Sequence, residues 1–216
     1  MDDDLTLTEL IIKLSLPQRS PVSYPAKDTI IEPSEKISSL YYLSAGFVRS
    51  YFLTPDGDDH TVNILKPGTI FPLTSFLSGH HNNYFFAAFT PAKVVALDAD
   101  RFISQIRSRS DFWYDFSVRL SSGLEGYLEH SFSLISGNAR EKIASTLLML
   151  SRRFGSPRIN LPLTQADLGS LTGLTREKVS TEINRFVREK VLSRQGKFLT
   201  ILNRSALADL AIFPEE

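Results

Sequence analysis

Between Ala26 and Leu97 the chain is a series of short apolar runs divided by turn residues. The runs are Thr29–Ile31, Leu40–Leu43, Phe47–Leu53, Thr61–Leu65, Tyr84–Phe89 and Lys93–Leu97. Pro33, Ala45-Gly46, Pro55-Asp56-Gly57, Pro67-Gly68, Ser78-Gly79 and Pro91 separate them. Short β-rich runs with regular turn signals predict an antiparallel sandwich or barrel. Pro55-Asp56-Gly57, between two alternating runs, predicts a hairpin. From Ser110 to Ile135 the period changes. Trp113, Ser117, Leu120, Leu124, Tyr127, Ser131 and Leu134 recur at alternating four- and three-residue steps, a heptad seam. The seam predicts a long helix that pairs with a partner helix. A second amphipathic helix runs from Asn138 to Phe154, burying Ile143, Leu147, Leu150 and Phe154, and stops at Gly155-Ser156-Pro157.

Residues 163–190 carry the pattern with the clearest chemical meaning. Thr164 is placed to cap a short helix with inner positions Ala166, Leu168 and Leu171. Thr172-Gly173 is a tight turn, where glycine lets the chain reverse through positive φ. Thr175 caps a second helix that buries Val179, Ile183, Phe186 and Val187. Two helices and a glycine turn in this order predict a helix-turn-helix. Val191–Arg194, Gln195-Gly196-Lys197 and Phe198–Leu202 then read as a β-hairpin with a basic tip, the wing of a winged helix.

In this frame the second helix is a reader of DNA. Arg176, Glu177, Ser180, Thr181, Asn184, Arg185 and Arg188 fall largely off its apolar face. Arginine can grip guanine O6 and N7, and glutamate can accept from cytosine N4. The expected DNA-binding residues are Thr164, Gln165, Thr175, Arg176, Glu177, Ser180, Thr181, Arg185 and Lys197.

Charge sharpens this division of labour. The 24 Lys and Arg balance 24 Asp and Glu over the 216 residues. Residues 1–136 nevertheless hold 11 cations against 16 anions, and the remainder 13 against 8. A basic C-terminal part suits a polyanion. The chain has no Cys, which excludes disulfides and Cys-ligated zinc or iron–sulfur clusters. No apolar run reaches the roughly 20 residues of a membrane span. The acidic start Met1-Asp2-Asp3-Asp4 is unlike a signal peptide, so a cytoplasmic location is expected.

The order of these parts resembles the cAMP receptor protein and fumarate–nitrate regulator (Crp/Fnr) superfamily of transcription regulators. The resemblance lies in Ser34-Glu35-Lys36 through Gly46, in Pro67-Gly68 and in Asn138–Ile143 through Leu150–Phe154, and is most specific in Leu163–Gly196. It implies an α+β fold with three parts. An N-terminal antiparallel β-roll of the jelly-roll, cyclic-nucleotide-binding-like type would occupy residues 1–109. A dimerisation helix would follow over 110–136, with Trp113, Leu120, Leu124, Tyr127 and Leu134 at its seam. A C-terminal winged helix-turn-helix would occupy 137–216. The implied partners are double-stranded DNA bearing a near-palindromic operator, a second copy of the chain, RNA polymerase and a small-molecule effector.

The family's cyclic-nucleotide ligands are missing. Nucleotide binders carry Gly-Glu after the Pro-Gly turn, for the ribose, and Arg-Ser about ten residues on, for the phosphate. Here the matching positions are Phe71-Pro72 and Asn82-Asn83, and only His80 and His81 remain as potential cations in that loop. An unpaired phosphate in a partly buried pocket is costly. The effector is therefore expected to be something other than cyclic AMP, or none. Any pocket would be aromatic, lined by Phe71, Asn82, Asn83, Tyr84, Phe85 and Tyr127, although these aromatics could equally fill the roll as core. No resident cofactor or metal is expected. A haem-based gas sensor using His80 or His81 and a β-roll module controlling a partner protein are the competing readings. An enzyme is not expected, because no cupin-type metal set, phosphate loop or Ser/His/Asp constellation stands out.

Overall fold

The computed structural model describes residues 20–33, 37, 39–154, 157–159 and 162–213. The acidic start, Ser34-Glu35-Lys36 and Gly155-Ser156 lie outside the described residues. Contacts divide the chain into two units between Ser117 and Val118, inside the helix Ser110–Ser136.

The first unit is built on two four-stranded antiparallel sheets. Its elements are β1 (Val22–Tyr24), β2 (Thr29–Ile31), β3 (Ser39–Ala45), β4 (Val48–Leu53), β5 (Asp59–Leu65), β6 (Ile70–Phe71), α1 (Leu73–Ser78), β7 (Phe85–Ala88), β8 (Ala92–Asp98) and α2 (Ala99–Ile106). The strand orders are β1-β8-β3-β6 and β2-β7-β4-β5. The predicted hairpin stands between β4 and β5. Gly57 N–H donates to Thr54 O at 2.9 Å, and Thr54 N–H to Asp58 O at the same length. Arg49 and Asp59 close it with a 2.9 Å ion pair.

Strands β3 and β8 are buried on both faces, which explains why their sequences read as nearly continuous apolar runs. Leu40 pairs with Leu97 and Tyr42 with Val95. That face packs on Phe102 and Ile106 of α2 and on Phe112. The opposite face carries Leu43 and Val94, against Val48, Phe71 and Phe86. Asp98 caps α2 by accepting from Arg101 N–H at 2.9 Å.

Helix α3 (Ser110–Ser136) is the long helix of the heptad seam. Its start belongs to the first unit, where Phe112 is buried and Trp113 meets it edge-on with ring centroids 5.2 Å apart. Trp113 therefore packs within its own unit. Leu120, Leu124 and Tyr127 are 48%, 56% and 52% exposed, and Leu134 is half-buried.

The second unit continues with α4 (Ala139–Phe154), β9 (Arg158–Ile159), α5 (Gln165–Thr172), α6 (Arg176–Arg188), β10 (Leu192–Gln195), β11 (Phe198–Ile201) and α7 (Arg204–Ala208). Ile143, Leu147 and Leu150 of α4 are buried as expected, while Phe154 is half-buried. β10 and β11 form the predicted wing, and β9 adds a third strand to it. Arg204 of α7 donates to Ser151 Oγ of α4 at 3.0 Å.

One turn of the first unit tolerates only glycine. Gly46 has φ +79°, and a Cβ there would lie 2.2 Å from Pro91 O and 2.7 Å from Ala92 Cα. Gly46→Ala is expected to destabilise the first unit by about 3 kcal/mol, from the strained backbone and the clash together. Trp113, the single tryptophan, reports that unit by fluorescence. A denaturation midpoint within error of the parent chain would refute the expectation.

Candidate nucleic-acid interface

Local chemistry fixes where each helix of the motif begins. Thr164 accepts from Asp167 N–H at 3.1 Å, and Thr164 N–H donates to the Asp167 carboxylate at 2.7 Å, a reciprocal cap for α5. Thr175 accepts from Lys178 N–H at 3.4 Å at the start of α6. Gly173, between them, has φ +66°. The turn also folds back closely on α5, for a Cβ on Gly169 would stand 2.7 Å from Leu174 O.

Helix α6 buries Val179, Ile183 and Phe186. Val187, expected inside, is 36% exposed because it falls off that stripe. Ala166, also expected inside, is exposed, since Leu168, Gly169 and Leu171 supply the inner face of α5. Arg176, Glu177 and Thr181 are exposed and Ser180 is half-buried. Arg176 and Lys197 make no ion pair among the described residues. Both line a groove of about 410 Å³ with Thr164 and Gln165 of the α5 start. Arg194 of β10 lines it too. Sequence reasoning places Arg194 in the wing without giving it a role; the signal is the strand register that sets it beside the tip.

The charges at the other end of α6 are engaged. Arg140 of α4 pairs with Glu189 and lies 3.8 Å from Glu182, and its guanidinium sits 4.5 Å from the centroid of the Phe186 ring. Arg185, an expected DNA contact, pairs with Glu189 at 3.1 Å. The hydrogen bond from Arg140, reinforced by Arg185, holds the Glu189 carboxyl below its usual pKa.

The residues expected to line an effector pocket have separate fates. Phe71 is buried in the roll core, stacked on Tyr41 and Phe86 with centroids 5.7 and 5.3 Å away. Asn82 is fully buried, and its amide spans Glu32 O at 3.1 Å and the Tyr84 backbone. Asn83 and Tyr84 are exposed, and Phe85 stacks on Tyr51 at 5.0 Å. Tyr127 belongs to the second unit and is exposed. These positions offer neither a carboxylate for a ribose nor a cation for a cyclic phosphate, so they do not fit a cyclic nucleotide. His80 and His81 are exposed, and His60 stacks on Phe52 at 5.4 Å. Among the described residues no cluster of three His, Asp or Glu side chains could hold a metal.

Comparison with known proteins bears on the same elements. Residues 141–210 match the Crp-like helix-turn-helix domain, and residues 21–109 the cyclic nucleotide-binding domain. The fumarate and nitrate reduction regulatory protein of Escherichia coli (strain K12) is 31% identical over 189 residues, 85% of this chain and 75% of that protein. The chain belongs to the Crp/Fnr family of transcription regulators. FixK2 from Bradyrhizobium japonicum shares the fold at a TM-score of 0.80 and 24% identity, covering 91% of this chain and 98% of its own. A CRP-family transcriptional regulator from Thermus thermophilus gives 0.71 and 25%, covering 90% and 98%. Among the described residues of this Crp/Fnr regulator, no helix is long and apolar enough to cross a membrane.

One titratable group in the second unit bears on the motif. His130 of α3 places Nε2 3.3 Å from Leu171 O, at the end of α5. Its Nδ1 is buried without a hydrogen-bond partner. Burial, helped by the Arg153 charge and opposed by the bond to Leu171, holds the imidazole below the usual value of 6.5. The unfolded chain therefore takes up a proton more readily than the folded one. The second unit should keep its full stability above pH 6.5 and lose it as the pH falls through the depressed value. His130→Gln should flatten that slope, read as pH-dependent hydrogen exchange of the α5 amides. An identical slope in both proteins would exclude His130 as its source.

Proposed function

We propose that this Crp/Fnr regulator is a cytoplasmic homodimer that binds a near-palindromic operator through α6 and its wing. In this reading residues 1–109 form the effector part, 110–136 the dimerisation helix and 137–216 the DNA reader. RNA polymerase is the partner it recruits or excludes, and its effector, where it has one, is not cyclic AMP. The observation that carries the reading is the groove flanked by Arg176, Arg194 and Lys197. It sets Arg176, at the start of α6, beside a basic wing, the arrangement by which a recognition helix enters a major groove. The side chains at the nucleotide-ligand positions argue against cyclic AMP.

The dimer rests on α3. Leu120, Leu124, Tyr127 and Leu128 are 46–56% exposed in a single chain, and Ile135 is 79% exposed. A contiguous apolar band of this kind marks an interface. Light scattering at micromolar concentration should give twice the 24.3 kDa chain mass. Leu124→Glu should shift the protein to monomer, because burying an unpaired carboxylate opposes association. A monomeric parent chain, or a fully dimeric variant, would contradict this.

Base reading separates two kinds of contact. Arg176→Ala should cost about 1–3 kcal/mol and erase discrimination at one base pair. Lys197→Ala should weaken all sequences alike and lower the salt slope by about one. Selection from random duplexes decides the matter. If Arg176→Ala keeps the parent's preferred motif, Arg176 holds phosphate and does not read a base.

A further inference from the structure

We propose that Gln165 sets the polarity of the Ser180 hydroxyl, making Ser180 a donor that selects a base with an acceptor on its major-groove edge. The inference rests on the DNA-reading role of α6 proposed above.

A hydroxyl within a helix commonly turns back to the carbonyl four residues earlier. Thr181 does so, donating to Glu177 O at 2.9 Å, as Thr146 does to Lys142 O at 2.8 Å. Ser180 is arranged otherwise. Its oxygen receives Gln165 Nε2 at 3.0 Å and Asn184 Nδ2 at 3.5 Å. A hydroxyl has one hydrogen and two acceptor sites. Two amide donors occupy the acceptor sites, so the hydrogen is left to point away from them. Ser180 stands one turn after Arg176, so the two side chains lie on the same edge of α6. In a major groove guanine O6 and N7, adenine N7 and thymine O4 accept, whereas cytosine presents the N4 donor. Ser180 should therefore reject cytosine. Thr181 has spent its hydrogen on Glu177 and presents its methyl group, which suits the thymine methyl. Adjacent hydroxyl residues thus read by different chemistry.

Gln165 is a positioning residue here. The cap between Thr164 and Asp167 fixes the first turn of α5, and with it the origin of the Gln165 side chain. Its amide, expected on DNA, donates to Ser180 Oγ.

The test inverts the polarity. A carboxylate can only accept, so in Gln165→Glu the Ser180 hydrogen turns inward and a lone pair faces out. Full-length parent, Gln165→Glu and Ser180→Ala are compared by selection from random duplexes, with folding checked by circular dichroism. The parent should disfavour cytosine at one half-site position by roughly 3- to 10-fold, the worth of one hydrogen bond. Ser180→Ala should relax that position to all four bases. Gln165→Glu should reverse it toward bases offering a donor, by a similar factor, with the positions read by Arg176 and Glu177 unchanged. If Gln165→Glu lowers affinity equally for all sequences and keeps the parent's preference, Gln165 does not set that polarity and the proposal fails. If Gln165→Glu unfolds, Gln165→Leu replaces it. Cytosine rejection should then drop to about twofold or less, and full retention overturns the proposal. A parent chain that selects no sequence overturns the DNA-reading role itself, a failure visible before any variant is examined.

Discussion

The DNA-facing side of this molecule depends on how closely α6 can be brought against α5. Gly169 lets the turn that leads into α6 fold back onto α5, because a single methyl group there would collide with the Leu174 carbonyl. Gly173 then reverses the chain in the left-handed region that other residues enter only at a cost. Val179, Ile183 and Phe186 of α6 are buried, as are Leu168 and Leu171 of α5, which leaves the opposite face of α6 to solvent. The side-chain link between Gln165 and Ser180 is a consequence of the same approach. It spans the two helices at 3.0 Å.

Charge along α6 is sorted by end. Arg140, Arg185, Glu182 and Glu189 neutralise one another toward the C-terminus and tie α6 to α4, with Arg140 laid over the Phe186 ring. The more exposed of these pairs, Arg185 with Glu189, is individually weak. Their geometric effect is larger, since they hold one end of the reader while Arg176 and Glu177 at the other have no ionic partner among the described residues. An ion pair at the N-terminal end would have to break before a base could be read.

Much of this is legible in the residues alone, and the reasons for the gaps are specific. The helix-turn-helix stands out because its caps, its glycine turn and its apolar stripe are local signals over 28 residues. Strands β2, β3, β4, β5, β7 and β8 of the first unit, and β10 and β11 of the wing, are legible from their turns. Strands β1, β6 and β9, of two or three residues each, are too short to show a period and exist only through their neighbours. Helix α2 follows β8 directly, and the Asp98 cap that divides them is masked in the sequence by the apolar run of β8. Ala166 and Val187 are misplaced by periodicity for another reason. Small or marginal positions at the edge of a stripe take their side from the neighbouring helix, which periodicity does not contain. Phe71 illustrates the limit for the effector part. Its place in the pair that matches the family's Gly-Glu is visible in the sequence, but its stack with Tyr41 and Phe86 needs the fold.

Helix α3 shows how one regular helix can serve different surroundings along its length. At its start Phe112, Trp113 and Phe116 bury themselves in the first unit. Near its end Ser133 is buried, its hydroxyl donating to His130 O, and His130 meets Leu171 of the reader. Between these anchors Leu120, Leu124, Tyr127 and Leu128 have no cover of their own. Gly123 and Gly126 sit in that stretch, and a Cβ on either would meet nothing in this chain. Packing within this chain therefore does not require glycine there, and these residues cost helix propensity of about 1 kcal/mol each relative to alanine. A second helix lying close against the first would give that cost a purpose, because glycine lets two backbones approach. The apolar band and the small residues inside it thus support the same reading of α3 as the surface on which two copies meet.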